Sequence, residues 1–94
     1  MLWSWDPRKE RPNRRKHGLS FKTAQLVFED PLALSRPDSS AQDERWQTVG
    51  VVGRVAILVV HTWPDPGTSR EEGRIISARK ATSHERKAYE EGRF

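Results

Sequence analysis

The sequence predicts a small α+β domain in which helices pack on one side of an antiparallel sheet. Apolar residues recur at helical spacing over 21–28. Three strand-like segments then follow one another at 44–52, 54–63 and 74–80. Consecutive strands with short connections favour an antiparallel meander over a doubly wound parallel sheet. The expected order of elements is β-α-α-β-β-β-β-α.

A strand and a helix are predicted at the N-terminus. Trp3 and Trp5 alternate with polar neighbours, which is typical of a short strand. An aspartate caps the helix predicted over 7–17, a proline begins it, and Gly18 ends it. Because this helix has almost no apolar residue, the aromatic residues before it and Leu19 and Phe21 after it are expected to anchor it. Pro12 lies inside the helix and is expected to kink or shorten it.

A second helix and a short strand come next. Ser20 is the predicted cap of the helix, and residues 29–31 end it. Residues 32–36 can form a strand, and residues 37–43, rich in serine, aspartate and proline, are predicted to form a loop. The helix carries one apolar stripe, formed by Phe21, Ala24, Val27 and Phe28.

The second half of the chain is predicted to contain three strands and a last helix. The strand over 54–63 holds consecutive apolar residues and is expected to be central and buried on both faces. Gly53 makes a tight turn before it, and the polar segment 64–72 forms a loop after it. Residues 82–85 match a capping box, which opens a helix that runs to about Glu91.

Composition places the chain among small globular proteins. Its 94 residues form one expected domain, 1–94, with 34% hydrophobic and 32% charged residues. The absence of cysteine excludes disulfides and favours a reducing compartment. The N-terminus lacks the apolar run of a signal peptide, and the longest apolar run, 55–60, is too short to span a bilayer. A cytoplasmic protein without membrane contact is therefore expected.

The net charge of +4 is concentrated in the first predicted helix. Segment 8–17 holds six arginines and lysines against one acidic residue, Glu10, whereas the remainder of the chain is nearly neutral. A local basic patch favours a polyanionic partner, most often nucleic acid. A solvated helix face is the simpler alternative.

Several common catalytic motifs are absent from the sequence. There is no glycine-rich phosphate loop, no His-Glu-x-x-His pair and no acidic calcium loop. His17, His61 and His84 lie in three different elements, and none has a second ligand at helical or strand spacing. No metal site and no cofactor are therefore expected.

The basic and proton-transferring residues suit cleavage of RNA without a metal. RNA carries its own nucleophile, the 2′-hydroxyl, so cleavage needs a base, an acid for the leaving 5′-oxygen and cations for the phosphate. Arginine suits the cationic role because its fork binds two phosphate oxygens. The candidate proton-transferring residues are Glu44, His17 and His61, and the candidate cations are Arg45, Arg74, Arg79 and Lys80.

The candidate proton-transferring residues also have structural interpretations. His17 can complement the dipole at the end of its helix. His61 can be a half-buried, hydrogen-bonded strand residue, and Glu44 with Arg45 can begin a strand in solvent.

The same is true of the residues in the last strand and helix. In a regular strand Arg74 and Arg79 point to opposite faces, so they cannot both line one concave face. Tyr89 fits the inward side of the last helix, where core packing is its default role.

Three blocks of sequence together carry a resemblance. The first contains Trp5-Asp6-Pro7, Lys9, Asn13, Lys16-His17-Gly18-Leu19, Phe21 and Ala24. The second contains Phe28, Asp30-Pro31 and Glu44-Arg45. The third contains Arg74-Ile75-Ile76-Ser77-Ala78-Arg79-Lys80-Ala81, Glu85-Arg86 and Tyr89. In this order, and over nearly the whole chain, they resemble the signatures of the BrnT family of ribonuclease toxins.

The resemblance implies a RelE-like fold and a metal-independent endoribonuclease that inhibits translation. It implies a BrnA-type ribbon-helix-helix antitoxin as partner, which carries the complex to operator DNA, in a 2:2 toxin–antitoxin assembly. By the same resemblance, the expected catalytic residues are Arg79, Lys80, Arg74, Glu44 and His17, and the expected RNA-binding residues are Lys9, Lys16, Arg45 and Tyr89.

Two other classes of function stay open at this point. A small basic module could hold RNA or the ribosome without cutting, and a protein-interaction domain could use its basic segment for an acidic partner. The first predicts RNA binding without cleavage, and the second predicts negligible RNA affinity at moderate salt.

Overall fold

Helices and strands follow each other in the order that the sequence predicts, which confirms the α+β fold. The computed structural model describes residues 2–39, 44–65 and 72–94. The predicted loops at 37–43 and 64–72 lie partly outside these residues. The elements are β1 (Trp3–Trp5), α1 (Pro7–His17), α2 (Phe21–Ala24), a 3₁₀ turn (Gln25–Glu29), β2 (Leu34–Pro37), β3 (Trp46–Val52), β4 (Val55–His61), β5 (Gly73–Lys80) and α3 (Ser83–Glu90).

The strands form one mixed sheet in the order β1-β5-β4-β3-β2. From β2 to β5 it is the predicted antiparallel meander, with β4 in the centre. β1, however, pairs with β5 in parallel, with Trp5 opposite Ile75. The expectation of an entirely antiparallel sheet is wrong at this edge. No hairpin joins β1 to β5, so no tight turn imposes an antiparallel direction on the pair.

The predicted ends of the first and last helices are confirmed. The Asp6 carboxylate accepts the Arg8 backbone N–H at 2.9 Å, and Gly18 ends α1 with a φ of 68°. The capping box at 82–85 opens α3. Pro12 does not shorten α1, which continues over 11 residues. Its ring lies on the exposed side, so the helix loses only the backbone hydrogen bond to the carbonyl four residues earlier.

The second predicted helix is α-helical only in its first part. Ser20 caps it by accepting the Thr23 backbone N–H, but the α-helical part ends at Ala24 and a 3₁₀ turn continues the chain. Asp30 then accepts the Leu32 backbone N–H at 2.9 Å. This bond holds the chain in a turn, and β2 consequently begins two residues later than predicted.

The main core lies on one face of the sheet, which we call the inner face. The predicted apolar stripe packs there against β4 and β5, and Phe28 lies at its border. Gly50 of β3 permits this close approach, because a Cβ atom at that position would lie 2.9 Å from Val27 Cγ1. The buried residues of this core are Phe21, Ala24, Val27, Ile57, Val59, Ile75 and Ala78.

The opposite face of the sheet, the outer face, is partly covered by α3. Side chains alternate along a strand, so Val49 and Leu58 point away from the core that Ile57 and Val59 join. Both are nevertheless buried, and α3 packs against β3. The expectation that all helices share one side of the sheet is therefore wrong. Because β3 and β4 carry apolar side chains on both faces, both faces must be shielded from water by helices.

Polar side chains attach α1 to the edge of the sheet. Glu10, Asn13 and His17 share one side of the helix and are its half-buried residues. Asn13 donates to the Ala78 carbonyl at 2.8 Å and accepts the Ala78 N–H at 3.2 Å. Glu10 accepts the Phe21 N–H at 3.3 Å. The expectation that apolar residues alone anchor α1 does not include this attachment. In it, Asn13 hydrogen-bonds the edge of β5 beyond the point where β1 ends.

Replacement of Asn13 tests this attachment. We expect Asn13→Ala to lower the free energy of unfolding by about 2 kcal/mol, because two hydrogen bonds are lost and the Ala78 backbone is left without its partner. Urea unfolding measures the change. Arg15→Ala, on the exposed side of the same helix, is the control and is expected to change stability by less than about 0.5 kcal/mol. Equal effects of the two substitutions would contradict the role of Asn13.

Candidate functional site

A β-bulge in β5 brings two predicted site residues to the same face. The register between β4 and β5 shifts at Val60/His61. Ile75 and Ala78, three residues apart, both point into the core as a result. Their neighbours Arg74 and Arg79 therefore both point to the outer face. The prediction that these arginines lie on opposite faces is wrong, because it assumes a strand without a bulge.

Part of the outer face is not covered by α3. There, arginines surround a row of half-buried residues. One row across the sheet runs from Arg36 through Gln47 and Val60 to Ser77. The last three of these residues are half-buried. Alternation places Arg45 on the same side of the sheet. We call this surface the arginine face; it consists of Arg36, Arg45, Gln47, Val60, Arg74, Ser77 and Arg79.

Arg79 is held by a two-pronged ion pair with α3. Its Nη1 and Nη2 atoms donate to the two carboxylate oxygens of Glu85 at 2.8 and 3.0 Å. These bonds lower the pKa of Glu85 to about 2, so the pair is ionised at neutral pH. Arg79 thereby fixes the first turn of α3. Nη1 also donates to the Lys80 carbonyl at 3.2 Å. The donors left for a phosphate are Nε and the second N–H of Nη2.

Glu44 and Arg45 lie in a cleft at the end of the sheet where β3 begins and β4 ends. The cleft measures about 550 Å³, and Thr62 and two tryptophans also line it. The Thr62 backbone N–H donates to the Arg74 carbonyl at 2.9 Å. The structure therefore brings three of the predicted residues, Glu44, Arg45 and Arg74, to the same end of the sheet.

The predicted residues of α1 and the end of β5 lie elsewhere. Because Asn13 bonds Ala78, the next turn of α1, with Lys16 and His17, lies beside the last residues of β5, near Lys80. Arg74 lies at the opposite end of that strand, roughly 20 Å away at about 3.3 Å per residue. The structure does not bring this group, which comprises Lys16, His17 and Lys80, together with Glu44 and Arg74. Lys9 is exposed one turn before Asn13 on α1.

His61 is fully buried and cannot exchange protons with a substrate. Its Nδ1 atom lies 3.2 Å from the Thr62 carbonyl, which can only accept, so Nδ1 carries the proton. Nε2 then accepts from the Thr48 hydroxyl at 2.6 Å, and that hydroxyl accepts from Ser35 at 2.6 Å. Burial lowers the pKa of His61 to about 4. These contacts support the interpretation of His61 as a hydrogen-bonded structural residue of the strand, not a catalytic one.

Tyr89 belongs to a hydrogen-bond network around Asp30, at the other end of β3 from the cleft. Its hydroxyl donates to Asp30 Oδ2 at 2.6 Å, and the same oxygen accepts the Val51 N–H at 2.8 Å. The bond to Asp30 raises the pKa of Tyr89 to about 12. Burial alone would raise the pKa of Asp30, but its hydrogen bonds outweigh burial and keep that pKa below its usual value. Asp30 thus joins the 3₁₀ turn, β3 and α3.

Two classes of feature are absent from the residues that the structure describes. Within 2–39, 44–65 and 72–94, no three histidine, aspartate or glutamate side chains come together as a metal centre would require. In the same ranges, no helix combines the length and the apolar character needed to cross a membrane.

Several parts of this site were not found from the sequence. Arg36 joins the arginine face only because β2 aligns it with Gln47. Glu85 is recognisable as a capping-box residue, but nothing in the sequence indicates that it also binds Arg79. The bulge has no local signature at all. Asn13 belongs to the first resemblance block, and that was the available signal for its role.

Comparison with known proteins identifies a family for this chain. Among curated proteins, no match is found. A family model described as "Ribonuclease toxin, BrnT, of type II toxin-antitoxin system" matches residues 5–85. The matched region contains the whole arginine face, the cleft and the attachment of α1. The chain belongs to the BrnT family of ribonuclease toxins of type II toxin–antitoxin systems.

Proposed function

We propose that this protein is a cytoplasmic endoribonuclease that cleaves RNA through the 2′-hydroxyl without a metal and so inhibits translation. The observation that supports this most directly is the bulge in β5, which points Arg74 and Arg79 to one face. The two residues are at most about 16 Å apart along the strand. Guanidinium groups in this arrangement can bind phosphates of one RNA strand.

Arg74 is the first candidate for binding the phosphate that reacts. Its side chain is exposed, and no residue in the described part of the chain hydrogen-bonds its guanidinium group. Arg79, by contrast, is already paired with Glu85. Arg74 can therefore offer its full fork to the extra negative charge of the transition state. Arg45 extends the positive surface into the cleft.

Glu44 is the proton acceptor that the geometry favours. It is exposed, lines the cleft beside Arg45 and lies at the same end of the sheet as Arg74. A carboxylate in this position can take the proton of the 2′-hydroxyl as that oxygen attacks phosphorus. The bond from phosphorus to the 5′-oxygen then breaks, and the leaving oxygen takes its proton from water. His17 lies beside the other end of β5, too far from Arg74 to act on the same phosphate. We assign to it, with Lys9, Lys16 and Lys80, a role in holding the RNA.

We further propose a BrnA-type ribbon-helix-helix antitoxin as the partner. Membership of a type II toxin family implies an antitoxin. Two antitoxin chains joined through their ribbons would produce a 2:2 assembly. That assembly would bind operator DNA through the antitoxin.

Cleavage of single-stranded RNA by the purified protein in excess chelator tests the catalytic proposal. We expect the wild type to cleave, and Glu44→Gln to cleave about 100-fold more slowly because the proton acceptor is lost. Arg74→Ala is expected to lose a similar factor, because the transition-state charge is no longer stabilised. Arg54→Ala removes one exposed arginine from the β3–β4 turn and is the matched control, with unchanged cleavage.

Arg79 needs a different substitution, because alanine would also release Glu85, and with it the first turn of α3, from β5. Arg79→Lys keeps the charge beside Glu85 but removes the fork, and we expect slower cleavage at nearly unchanged thermal stability. Unchanged cleavage in both Arg74→Ala and Glu44→Gln would contradict this site. Cleavage that chelation abolishes would contradict metal independence. RNA binding without cleavage, in the presence or absence of chelator, would indicate a binding module.

A further inference from the structure

Exposed apolar side chains cluster at one end of the sheet. In the described part of the chain, the large apolar residues that are exposed are Leu2, Leu26, Leu32 and Val55. Leu26 lies in the 3₁₀ turn, Leu32 in the turn before β2, and Val55 at the start of β4. Leu2 precedes β1, at the other edge of the sheet. Clustered apolar exposure marks an interaction surface, whereas single exposed residues need no explanation.

A shallow groove of about 600 Å³ lies at this end of the sheet. Its lining includes Leu26, Pro31, Val51, Val52 and Tyr89. Leu32 directly follows Pro31 along the chain, and Val55 pairs with Val52 across the turn, so both extend the apolar border. We call this surface, with Leu26, Leu32 and Val55 around it, the apolar groove.

The shape of the apolar groove is fixed by half-buried hydrogen bonds between residues of its own lining. Asp30 accepts from both the Tyr89 hydroxyl and the Val51 N–H, which ties α3 to the edge of β3. The groove therefore exists before any partner arrives, and ordering it on binding costs little.

The charge of the apolar groove argues against RNA as its occupant. The charged residues that line it, Glu29 and Asp30, are both acidic, and one cation, the exposed Arg54, lies beside the lining in the β3–β4 turn. The two carboxylates disfavour a polyanion within the groove itself. A protein segment with an apolar side and a flanking lysine or arginine would complement both the border and the charge.

We infer that the apolar groove is the docking site for the antitoxin, which inserts apolar side chains beside Leu26, Leu32 and Val55 and places a basic side chain near Glu29. The inference rests on the antitoxin partner of the proposed function. The apolar groove and the cleft lie at opposite ends of β3. The antitoxin thus gains its affinity away from the RNA contacts, and neutralisation requires the rest of its chain to reach across α3 to the arginine face.

The double variant Leu32→Lys, Val55→Lys tests this inference. The probe is a purified BrnA-type ribbon-helix-helix antitoxin, titrated calorimetrically against the full-length protein without RNA. We expect the affinity to fall about 100-fold, because two apolar anchors are lost and two positive charges face a basic segment. RNA cleavage and the melting temperature are expected to stay at their wild-type values.

Leu2→Lys is the matched control. Leu2 and Leu32 are both 69% exposed, but they lie at different edges of the sheet. The control is expected to bind the antitoxin as the wild type does. If the double variant melts at a lower temperature than the wild type, antitoxin affinity is measured for the single variant Leu32→Lys instead. This side chain lies in a turn and largely in solvent, so its replacement is not expected to destabilise the fold.

Three outcomes would overturn the inference. They are wild-type affinity in the lysine variants, absence of binding to the wild type, and a self-association of the isolated protein that the double variant abolishes without a change in antitoxin affinity. The last outcome would make the apolar groove an interface between two copies of this chain. Binding is measured without RNA, so a failure of the nuclease proposal leaves this readout intact.

Discussion

Acidification from pH 6.5 to pH 4 is expected to remove about 3 kcal/mol of the free energy of unfolding through His61 alone. Burial lowers the pKa of this histidine from 6.5 to about 4 in the folded protein. Above pH 6.5 the residue is neutral in both states and contributes no pH dependence. Below pH 6.5 the unfolded chain binds a proton that the folded protein rejects, so stability falls until the folded pKa is reached.

Urea unfolding at several pH values measures this effect. His61→Gln is expected to be less stable at pH 7, yet its stability should be nearly independent of pH between 6.5 and 4.5. His84→Gln, which removes an exposed histidine, should keep the wild-type slope. Equal slopes for the wild type and His61→Gln over this interval would contradict the assignment.

A second source of acid sensitivity lies at α3, in a lower pH range. The Arg79 fork lowers the pKa of Glu85 from 4.5 to about 2. The stability that this pair contributes is present above pH 4.5 and is lost as the pH falls towards 2. The two groups can therefore be separated by the interval in which each one acts.

Gly73→Ala is expected to destabilise the protein by about 3 kcal/mol, as overpacking of a well-filled site does. A Cβ atom at this position would lie 2.7 Å from Trp3 Cε3 and closer still to Cζ3. Trp3 cannot move aside freely, because its ring stacks on Phe28 at 3.8 Å and meets the edge of His61 at 5.3 Å. The glycine thus permits the contact between β5 and this aromatic cluster.

A double-mutant cycle distinguishes this clash from a backbone effect. In a Trp3→Ala background, Gly73→Ala is expected to cost less than about 1 kcal/mol, because the ring that the new methyl group meets is gone. Thermal or urea unfolding of the four proteins provides the coupling energy. Additive effects of the two substitutions would show that the cost of alanine at this position does not come from the indole ring.

The parts of the fold that depend on neighbouring residues were predicted correctly. The caps at Asp6, Ser20 and Thr82 and the end of α1 at Gly18 are local features, because each one is formed by a few consecutive residues. The central position of β4 follows from its consecutive apolar residues. These signals place the elements and their order, and the resemblance blocks identify the family.

The site was predicted less completely. Glu44, Arg45 and Arg74 do come to one end of the sheet, but nothing in their spacing shows this. Tyr89 and His17 were grouped with them through the resemblance, and the structure places both elsewhere. Roles for these residues stay predictions, whereas the burial of His61 is decided by its surroundings.

The sequence by itself therefore determined the elements, their order, the caps and the family, since these depend on short-range pattern and on motif identity. Only the tertiary structure decided that β1 runs parallel to β5, that α3 covers the outer face, and that Arg74 and Arg79 share that face. The reason is physical. Strand direction, sheet register and the bulge depend on contacts between residues far apart in the chain, and a one-residue shift in register reverses the face of every side chain beyond it.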